Sequence, residues 1–414
     1  MGQLTHNELA LLLIQLSLLL FFGRLFAEGA RKLRQPAVTG ELLAGIILGP
    51  TILGAYFPDI YLSLFPVIGN SPIALNSFIQ VSLVLLLFIA GLEVELHIVW
   101  QQGKSAFYTS FLGLVIPFAI GFSSAYAFPE FFGSRDEEQR LVMSLFLGTS
   151  LSITALPVIA RILMDLNLFK TNFGVLIIAS SMISDLIGWM VFSVILSMLG
   201  QGNHNISLGS TIFLTIGFTI FMLSIGKNLI NRILPWFNEK FAWPGGILSL
   251  SIAFCFLFAA FTEYIGIHAI FGAFIFGVAL GQTIHFSERA KEIVHHFINN
   301  IFSPLFFVSI GLHVNFIQNF NPLLVGFVLI LASIGKIVGS GLGAYFGGYS
   351  TRNALAIGFG MNARGAMEII LGIVALQFGL INEQLFVALV VMALVTSISS
   401  GPLMKLFHKN EEPN

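Results

Sequence analysis

Residues 148–161, GTSLSITALPVIAR, interrupt an apolar run with hydroxyl groups and a proline. Thr149, Ser150 and Thr154 supply hydroxyls, and Pro157 follows them. Proline lacks a backbone N–H donor and its ring clashes with the preceding helical turn, so the stretch predicts a broken helix. Within a membrane, such irregular backbone is tolerated only where it faces protein or a watery cavity.

The composition of the chain indicates that this break lies in a membrane. Of 414 residues, 56% are hydrophobic and 9% are charged, whereas ordinary soluble domains are about 25% charged. Apolar runs of about 20 residues, long enough to cross a bilayer, recur from end to end. We therefore predict an all-α polytopic membrane protein surrounded by the lipid bilayer.

Catalytic and nucleotide-binding motifs are absent from the sequence. It contains no phosphate-binding glycine loop, no hydrolase triad spacing and no cysteine cluster. We therefore predict that the protein is not an enzyme, needs no cofactor and binds no nucleic acid.

Thirteen membrane spans are predicted, with centres near residues 17, 46, 83, 115, 152, 185, 218, 254, 275, 304, 333, 364 and 394. With the N-terminus outside, 15 of the 19 Lys and Arg residues fall on the inner side. Two, Arg135 and Arg140, fall outside, and the other two, Lys336 and Arg364, lie within spans. Cytoplasmic loops carry an excess of basic residues, so we expect the N-terminus outside and the C-terminus in the cytoplasm. We expect the membrane itself to be a bacterial inner membrane.

A second break is predicted at residues 357–370, IGFGMNARGAMEII, where Gly360 and Gly365 flank Asn362. Alone, either break could be a packing glycine or a harmless proline kink. Paired interrupted spans in the two halves of a transporter are the best sequence pointer to a binding site. Together, the two breaks favour such a site.

Four ionisable side chains are predicted at mid-membrane depth: Asp185, Lys336, Arg364 and Glu368. Each costs about 2.5–3.5 kcal/mol on insertion scales, so such residues face the protein interior and usually serve an ion or proton path. Asp185 lies in ASSMISDLIGW, residues 179–189, beside Ser184. We predict that Asp185 binds the transported ion, with a structural salt bridge as the alternative.

The other mid-membrane charges each allow two interpretations. Arg364 and Glu368 are four residues apart and could pair on one helix face, either to pin the broken segment or to take part in transport. Lys336 either neutralises a carboxylate or substitutes for a cation in the empty site. Near the predicted span ends, Glu41, Glu93 and Glu95 would line an entrance. The histidine-rich segment 284–297 has no metal-ligand spacing, and a regulatory pH role is an alternative for it.

Five stretches together resemble the monovalent cation:proton antiporter-2 family of bacterial Na⁺/H⁺ and K⁺/H⁺ antiporters and plant exchangers. They are RQPAVTGELLAGIILGP (34–50), LLLFIAGLEVEL (85–96), SLSITALPVIARILMDLNL (150–168), SSMISDLIGW (180–189) and GMNARGAMEII (360–370). The resemblance covers nearly the whole chain. It implies inverted repeats, two crossing broken helices, and a homodimer.

The family resemblance also implies a division of the chain. A single transporter unit would cover residues 1–409, with core-domain spans at about 75–199 and 295–376. Dimerisation or scaffold spans would lie at about 8–55 and 208–284. Residues 410–414 would form a short cytoplasmic tail, without a soluble regulatory domain.

By matching positions, Asp185 takes the role of the family's ion-binding aspartate, and Lys336 that of its membrane lysine. The two crossings match Thr149–Pro157 and Gly360–Glu368. Many sodium–proton relatives carry a second acid where this chain has Ser184. Members with a single acid tend to exchange one ion for one proton.

The sequence therefore predicts an electroneutral antiporter that exchanges Na⁺ or K⁺ for protons by alternating access and serves pH homeostasis. Proton and cation would compete for Asp185, the carboxylate ligand of the monovalent cation. Oxygen atoms for the cation site would come from Ser184, Thr149, Ser150 and Thr154, supported by Asn362. Two alternatives stay open: a K⁺ efflux channel-like protein and a Na⁺-coupled organic-anion symporter.

Overall fold

The computed structural model describes residues 4–33, 35–133, 137–199 and 208–408. Within these residues it contains eighteen α-helices, one π-helical turn and no strands. Arg34, Arg135 and Lys409, which entered the charge distribution above, and the predicted tail 410–414 lie outside the described residues.

The helices follow one another with short connections. In the first half they are α1 (His6–Lys32), α2 (Ala37–Leu48), α3 (Leu53–Tyr56), α4 (Pro58–Leu64), α5 (Asn70–Leu92), α6 (Leu96–Ala127), α7 (Glu137–Ser152), α8 (Leu156–Asp165) and α9 (Asn172–Met198). In the second half they are α10 (Leu208–Phe221), the π-helical turn Met222–Gly226, α11 (Lys227–Lys240), α12 (Gly245–Tyr264), α13 (Ala269–Gly281), α14 (Glu288–His313), α15 (Pro322–Phe346), α16 (Thr351–Met361), α17 (Ala366–Gln377) and α18 (Glu383–Phe407).

Eleven helical segments of the described chain are long and apolar enough to cross a membrane. α16 and α17 form a twelfth candidate, bent by 46° at the break between them, and α13 is a shorter apolar helix. Every predicted span centre falls within one of these segments. The all-helical membrane fold with about thirteen spans is therefore confirmed.

The chain forms two compact units, each made of two separate segments. The first unit comprises Met1–Val94 and Ile216–Asn319, and the second comprises Glu95–Thr215 and Phe320–Asn414. The sequence-based division into core and dimerisation spans describes function, and it stays a prediction.

In the first unit, some helices approach so closely that only glycine fits between them. A Cβ atom at Gly311 of α14 would overlap the backbone of Gly45 and Ile46 in α2. A Cβ atom at Gly277 of α13 would overlap the Phe88 carbonyl of α5. Membrane helices gain little hydrophobic free energy by leaving lipid, so close backbone packing at small residues holds them together.

In the second unit, α15 packs along α6 through the same kind of contact. A Cβ atom at Gly335 would lie 2.9 Å from Cα of Pro117, and one at Gly339 would lie 2.5 Å from the Leu112 carbonyl oxygen. Lys336 follows Gly335 directly and is completely buried. The glycine contact therefore brings a charged side chain into the interior of the unit.

We expect Gly311→Ala to lower stability by about 1–3 kcal/mol, because the added methyl group must push α14 away from α2. Gly29→Ala in α1 is the matched control, since nothing lies within 4 Å of the added Cβ. Alanine favours a helix over glycine by about 0.5–1 kcal/mol, so the control should be neutral or more stable. Thermal unfolding in one detergent measures both variants. An unchanged midpoint for Gly311→Ala would contradict the close α2–α14 packing.

Candidate ion-binding site

The first predicted break separates α7 from α8. α7 ends at Ser152 and α8 begins at Leu156, and Ala155 between them is extended (φ −82°, ψ 100°). Pro157 lies in the first turn of α8, where its missing N–H removes no helical hydrogen bond. The proline therefore starts a new helix and does not kink a continuous one.

The second predicted break separates α16 from α17, at residues 362–365. A Cβ atom at Gly365 would lie 2.7 Å from Cγ2 of Val158 in α8, and one at Gly360 would lie 2.8 Å from Sδ of Met404 in α18. The absence of a side chain at Gly365 therefore allows the second break to pack closely against α8, which follows the first break, whereas Gly360 packs against α18.

The two breaks are joined by hydrogen bonds. The Ala155 N–H donates to the Ala363 carbonyl at 3.0 Å. The Thr154 hydroxyl donates to the Met361 carbonyl at 2.8 Å. Non-helical backbone in a membrane needs hydrogen-bond partners inside the protein. Each broken span provides such partners for the other.

Arg364 lies within the second break and is completely buried. Its guanidinium donates to the carbonyl of Ser150 at 2.8 Å and to the carbonyl of Leu151, and it forms an ion pair with Glu368. The last carbonyls of a helix have no helical partner and carry partial negative charge. Arg364 therefore caps α7, which favours the structural interpretation of the Arg364–Glu368 pair.

Lys336 completes the cap on α7. Its ammonium donates to the carbonyl of Ser152 and, at 2.9 Å, to the carbonyl of Gly113 in α6. Three successive carbonyls at the end of α7 thus accept hydrogen bonds from cationic side chains. The charges of Asp185 and Arg364 both act on the Lys336 ammonium, so Asp185 lies within electrostatic range of this cap.

Asp185 lies near the middle of the 27-residue helix α9 and is 2% exposed. One turn after it, a Cβ atom at Gly188 would lie 2.5 Å from Cγ1 of Ile153 in the first break. One turn before it, the Ser181 hydroxyl lies 3.4 Å from Sδ of Met361 at the second break. Asp185 therefore lies between the contacts of α9 with the two breaks.

The predicted oxygen ligands differ in how they are engaged. The hydroxyls of Thr149 and Ser184 donate to carbonyls of their own helices, at 2.8 and 3.0 Å. Thr154 donates across the breaks, as described above. By contrast, Ser150 Oγ and Asn362 Oδ1 are buried and have no hydrogen-bond partner among the described residues. Buried oxygens in that state are expected to bind water or an ion.

Several partners of the site were not predicted from the sequence. They are the Gly113 carbonyl, the Ser333 hydroxyl, which accepts from Asn362 Nδ2 at 3.3 Å, and the Ser397 hydroxyl of α18, which donates to the Arg364 carbonyl. Ser333 stands one helical turn before Lys336 and could have been found by spacing. Nothing in the sequence marks a particular carbonyl as an acceptor.

Within the described residues, no group of three or more His, Cys, Asp or Glu side chains could hold a metal ion. The predicted ligand set is instead one carboxylate with neutral hydroxyl, amide and carbonyl oxygens. Such hard oxygen ligands suit a monovalent cation that must be bound and then released.

Comparison with known proteins gives a consistent family assignment. The family described as sodium/hydrogen exchanger, transmembrane, matches residues 17–407. The chain is 32% identical to Cation/H(+) antiporter 17 of Arabidopsis thaliana, with 98% of this chain and 49% of the relative covered. It is 30% identical to Na(+)/H(+) antiporter NhaS4 of Synechocystis, with 96% and 97% covered. The chain thus spans about half of the plant relative and nearly all of the cyanobacterial one.

A solved structure shows the same fold. The sodium proton antiporter MjNhaP1 from Methanocaldococcus jannaschii superposes with a TM-score of 0.61 over 96% of both chains, at 18% sequence identity. At that identity the likeness concerns the fold. The family resemblance predicted from the sequence motifs is confirmed by these comparisons.

We expect Glu368→Ala to destabilise the protein by about 3–5 kcal/mol, because Arg364 would keep a buried charge without its carboxylate. Asp165→Ala is the matched control. It breaks an ion pair of the same i, i+4 spacing with Arg161, in which both side chains are more than half exposed. Loss of an exposed pair costs about 0–1 kcal/mol. Thermal unfolding should separate the variants, and equal midpoints would contradict a structural role for Glu368.

Proposed function

Because this chain belongs to the sodium/hydrogen exchanger family, we propose that it exchanges a monovalent cation, Na⁺ or K⁺, for protons across a membrane. The observation that carries the proposal is the buried Asp185 carboxylate, which lies between the contacts of α9 with two broken spans. Discontinuous helices at mid-membrane are the usual setting for coupling-ion sites in transporters. The names of the relatives, which are antiporters, support the same activity.

Coupling follows from competition for one carboxylate. A carboxylate buried in the membrane is costly to keep ionised, so binding either a proton or a cation at Asp185 is favourable. A cation would lose water on entering, and Ser150 Oγ and Asn362 Oδ1 are buried oxygens free to replace it. Since the proton and the cation occupy the same acceptor, each transported ion displaces the other.

The buried cations Lys336 and Arg364 have a supporting role in this proposal. Their hydrogen bonds to the end of α7 keep the first break open and its backbone satisfied. The Lys336 charge also acts on Asp185, which stabilises the ionised carboxylate between two binding events and limits its affinity for a cation. Release then stays fast enough for turnover.

Access would alternate as the helices that carry the breaks move as a body and expose Asp185 to each side in turn. We propose a homodimer in a bacterial inner membrane, with the N-terminus outside and the C-terminus in the cytoplasm. The basic residues of the predicted inner loops support that orientation.

We expect Asp185→Asn to abolish cation-driven proton flux while the protein still folds, because the amide can neither ionise nor release a proton. Proteoliposomes containing a pH-sensitive dye would measure flux with Li⁺, Na⁺, K⁺ and Rb⁺. Asp165→Asn, which removes an exposed carboxylate, is the control and should transport at the wild-type rate. Cation-driven flux retained by Asp185→Asn would refute the proposed coupling site.

Exchange should be electroneutral. The four mid-membrane charges, Asp185, Glu368, Lys336 and Arg364, sum to zero when all are ionised. Binding a proton or a monovalent cation at Asp185 then adds the same single positive charge. The proton-loaded and cation-loaded states therefore have equal net charge.

We therefore expect less than a twofold change in rate when vesicles are clamped at 0 and at 100 mV. One transported net charge is worth about 2.3 kcal/mol per 100 mV, which would change the rate severalfold. A voltage dependence of that size would exclude one-for-one exchange. Single-channel currents in the same bilayers would favour a K⁺ efflux channel, and anion-dependent cation uptake would favour a symporter.

A further inference from the structure

Glu41 of α2 is a carboxylic acid of the first compact unit that the proposed exchange mechanism does not use. Only 4% of the residue is exposed, and its Oε2 accepts a hydrogen bond from the Ser303 hydroxyl of α14 at 2.8 Å. The prediction that Glu41 lines an entrance at a span end is wrong, because its side chain is buried against α14.

The carboxylate of Glu41 has no counter-ion in direct contact among the described residues. Arg24 and Arg31 of α1 act on it electrostatically, but both contact Glu28, at 2.8 and 2.7 Å. Arg24 also donates to the side-chain oxygen of Asn300 at 2.9 Å. A buried carboxylate with one neutral hydrogen-bond donor is poorly compensated, so binding a proton is a favourable way to remove its charge.

A polar face of α14 leads from the surface to this carboxyl group. His295, Asn299 and Ser303 are spaced by four residues and therefore share one side of the helix. His295 is 41% exposed at its side chain, and its Nε2 lies 3.2 Å from Oε1 of Glu93. The Asn299 amide nitrogen lies 2.9 Å from the same Nε2. From His295 to Ser303 the face extends about 12 Å, at 1.5 Å per residue.

We propose that Glu41 is a second proton-binding group, reached along this face of α14, and that its protonation state sets the pH range of exchange. The regulatory half of the inference rests on the proposed antiport function. When ionised, Glu41 attracts the arginines of α1 and strengthens the packing of α1, α2 and α14; when protonated, it does not. The charged groups that act on Glu41 are Arg24 and Arg31 on α1, and Glu28 pairs with both of them. His295 on α14 and Glu93 at the end of α5 pair with each other at the outer end of the polar face.

Two substitutions test the proton site by the pH profile of exchange. Glu41→Gln holds the neutral form at every pH, so one step of the profile should disappear while exchange through Asp185 continues. Ser303→Ala removes the donor that stabilises the ionised form. The free energy of a hydrogen bond to a charged group corresponds to an upward shift of the midpoint by about one to two units.

Ser309→Ala is the matched control for Ser303→Ala. Ser309 is a buried serine of the same helix, and its hydroxyl donates to the Phe306 carbonyl at 2.6 Å. Its removal should leave the midpoint at the wild-type value. Equal shifts for the two serine variants, or a wild-type profile for Glu41→Gln, would overturn the proposal.

Infrared difference spectra of the purified protein, recorded as the pH is stepped, report protonated carboxyl groups without any transport. A component absent from Glu41→Gln and shifted in Ser303→Ala would support the proton site. Spectra of Glu41→Gln that match those of the wild type would overturn it. If the component is present but the wild-type protein exchanges no cation, the antiport function fails and the proton site stands without its regulatory role.

Asn299→Leu tests the route. It interrupts the polar face without removing Glu41 or Ser303, so the midpoint should stay unchanged while the response to a pH jump slows. A response as fast as that of the wild type would overturn the α14 face as the path of the proton.

Discussion

The carbonyl groups at the end of α7 must find hydrogen-bond donors inside the protein, because lipid offers none. Arg364 and Lys336 provide them, and the rest of the second unit depends on that cap. The cap holds the first break open next to the second, where Ala155 and Thr154 bond to the opposite backbone. Once two cations are buried for this purpose, acids are needed to balance them, and Glu368 pairs with one.

Asp185 is the other acid predicted at that depth, and we propose that it is the one that takes part in exchange. Glu368 is already engaged by Arg364, whereas Asp185 interacts with Lys336 through the electrostatic field. Because Lys336 interacts with this carboxylate through its electrostatic field, the interaction can be exchanged for a bound proton or a bound cation. In the proposed mechanism, the same buried charges that stabilise the broken helices also tune the affinity of Asp185 for its ions.

In the first unit, as between α15 and α6 of the second, helix backbones pack closely at glycines, here Gly45 and Gly311. Tight packing leaves little room for water, so a polar group caught in it is compensated only by its immediate neighbours. Glu41 is such a group, and Ser303 is its one close donor among the described residues. We therefore propose that the packing of α1, α2 and α14 responds to the charge of this one side chain.

The sequence by itself determined the membrane location, the approximate spans, both breaks and the identity of the mid-membrane charges. Each of these depends on local properties, namely the length of an apolar run, the chemistry of proline and glycine, and the cost of a charge in lipid. Only the tertiary structure decided that Lys336 binds the Gly113 carbonyl, 223 positions away, that Arg364 caps α7, and that Glu41 is buried. Every residue carries a carbonyl group, and hydropathy describes one chain position at a time. The packing of helices that are distant in the sequence decides which carbonyl group accepts a hydrogen bond from a buried cation. It also decides which span end is buried by a neighbouring helix.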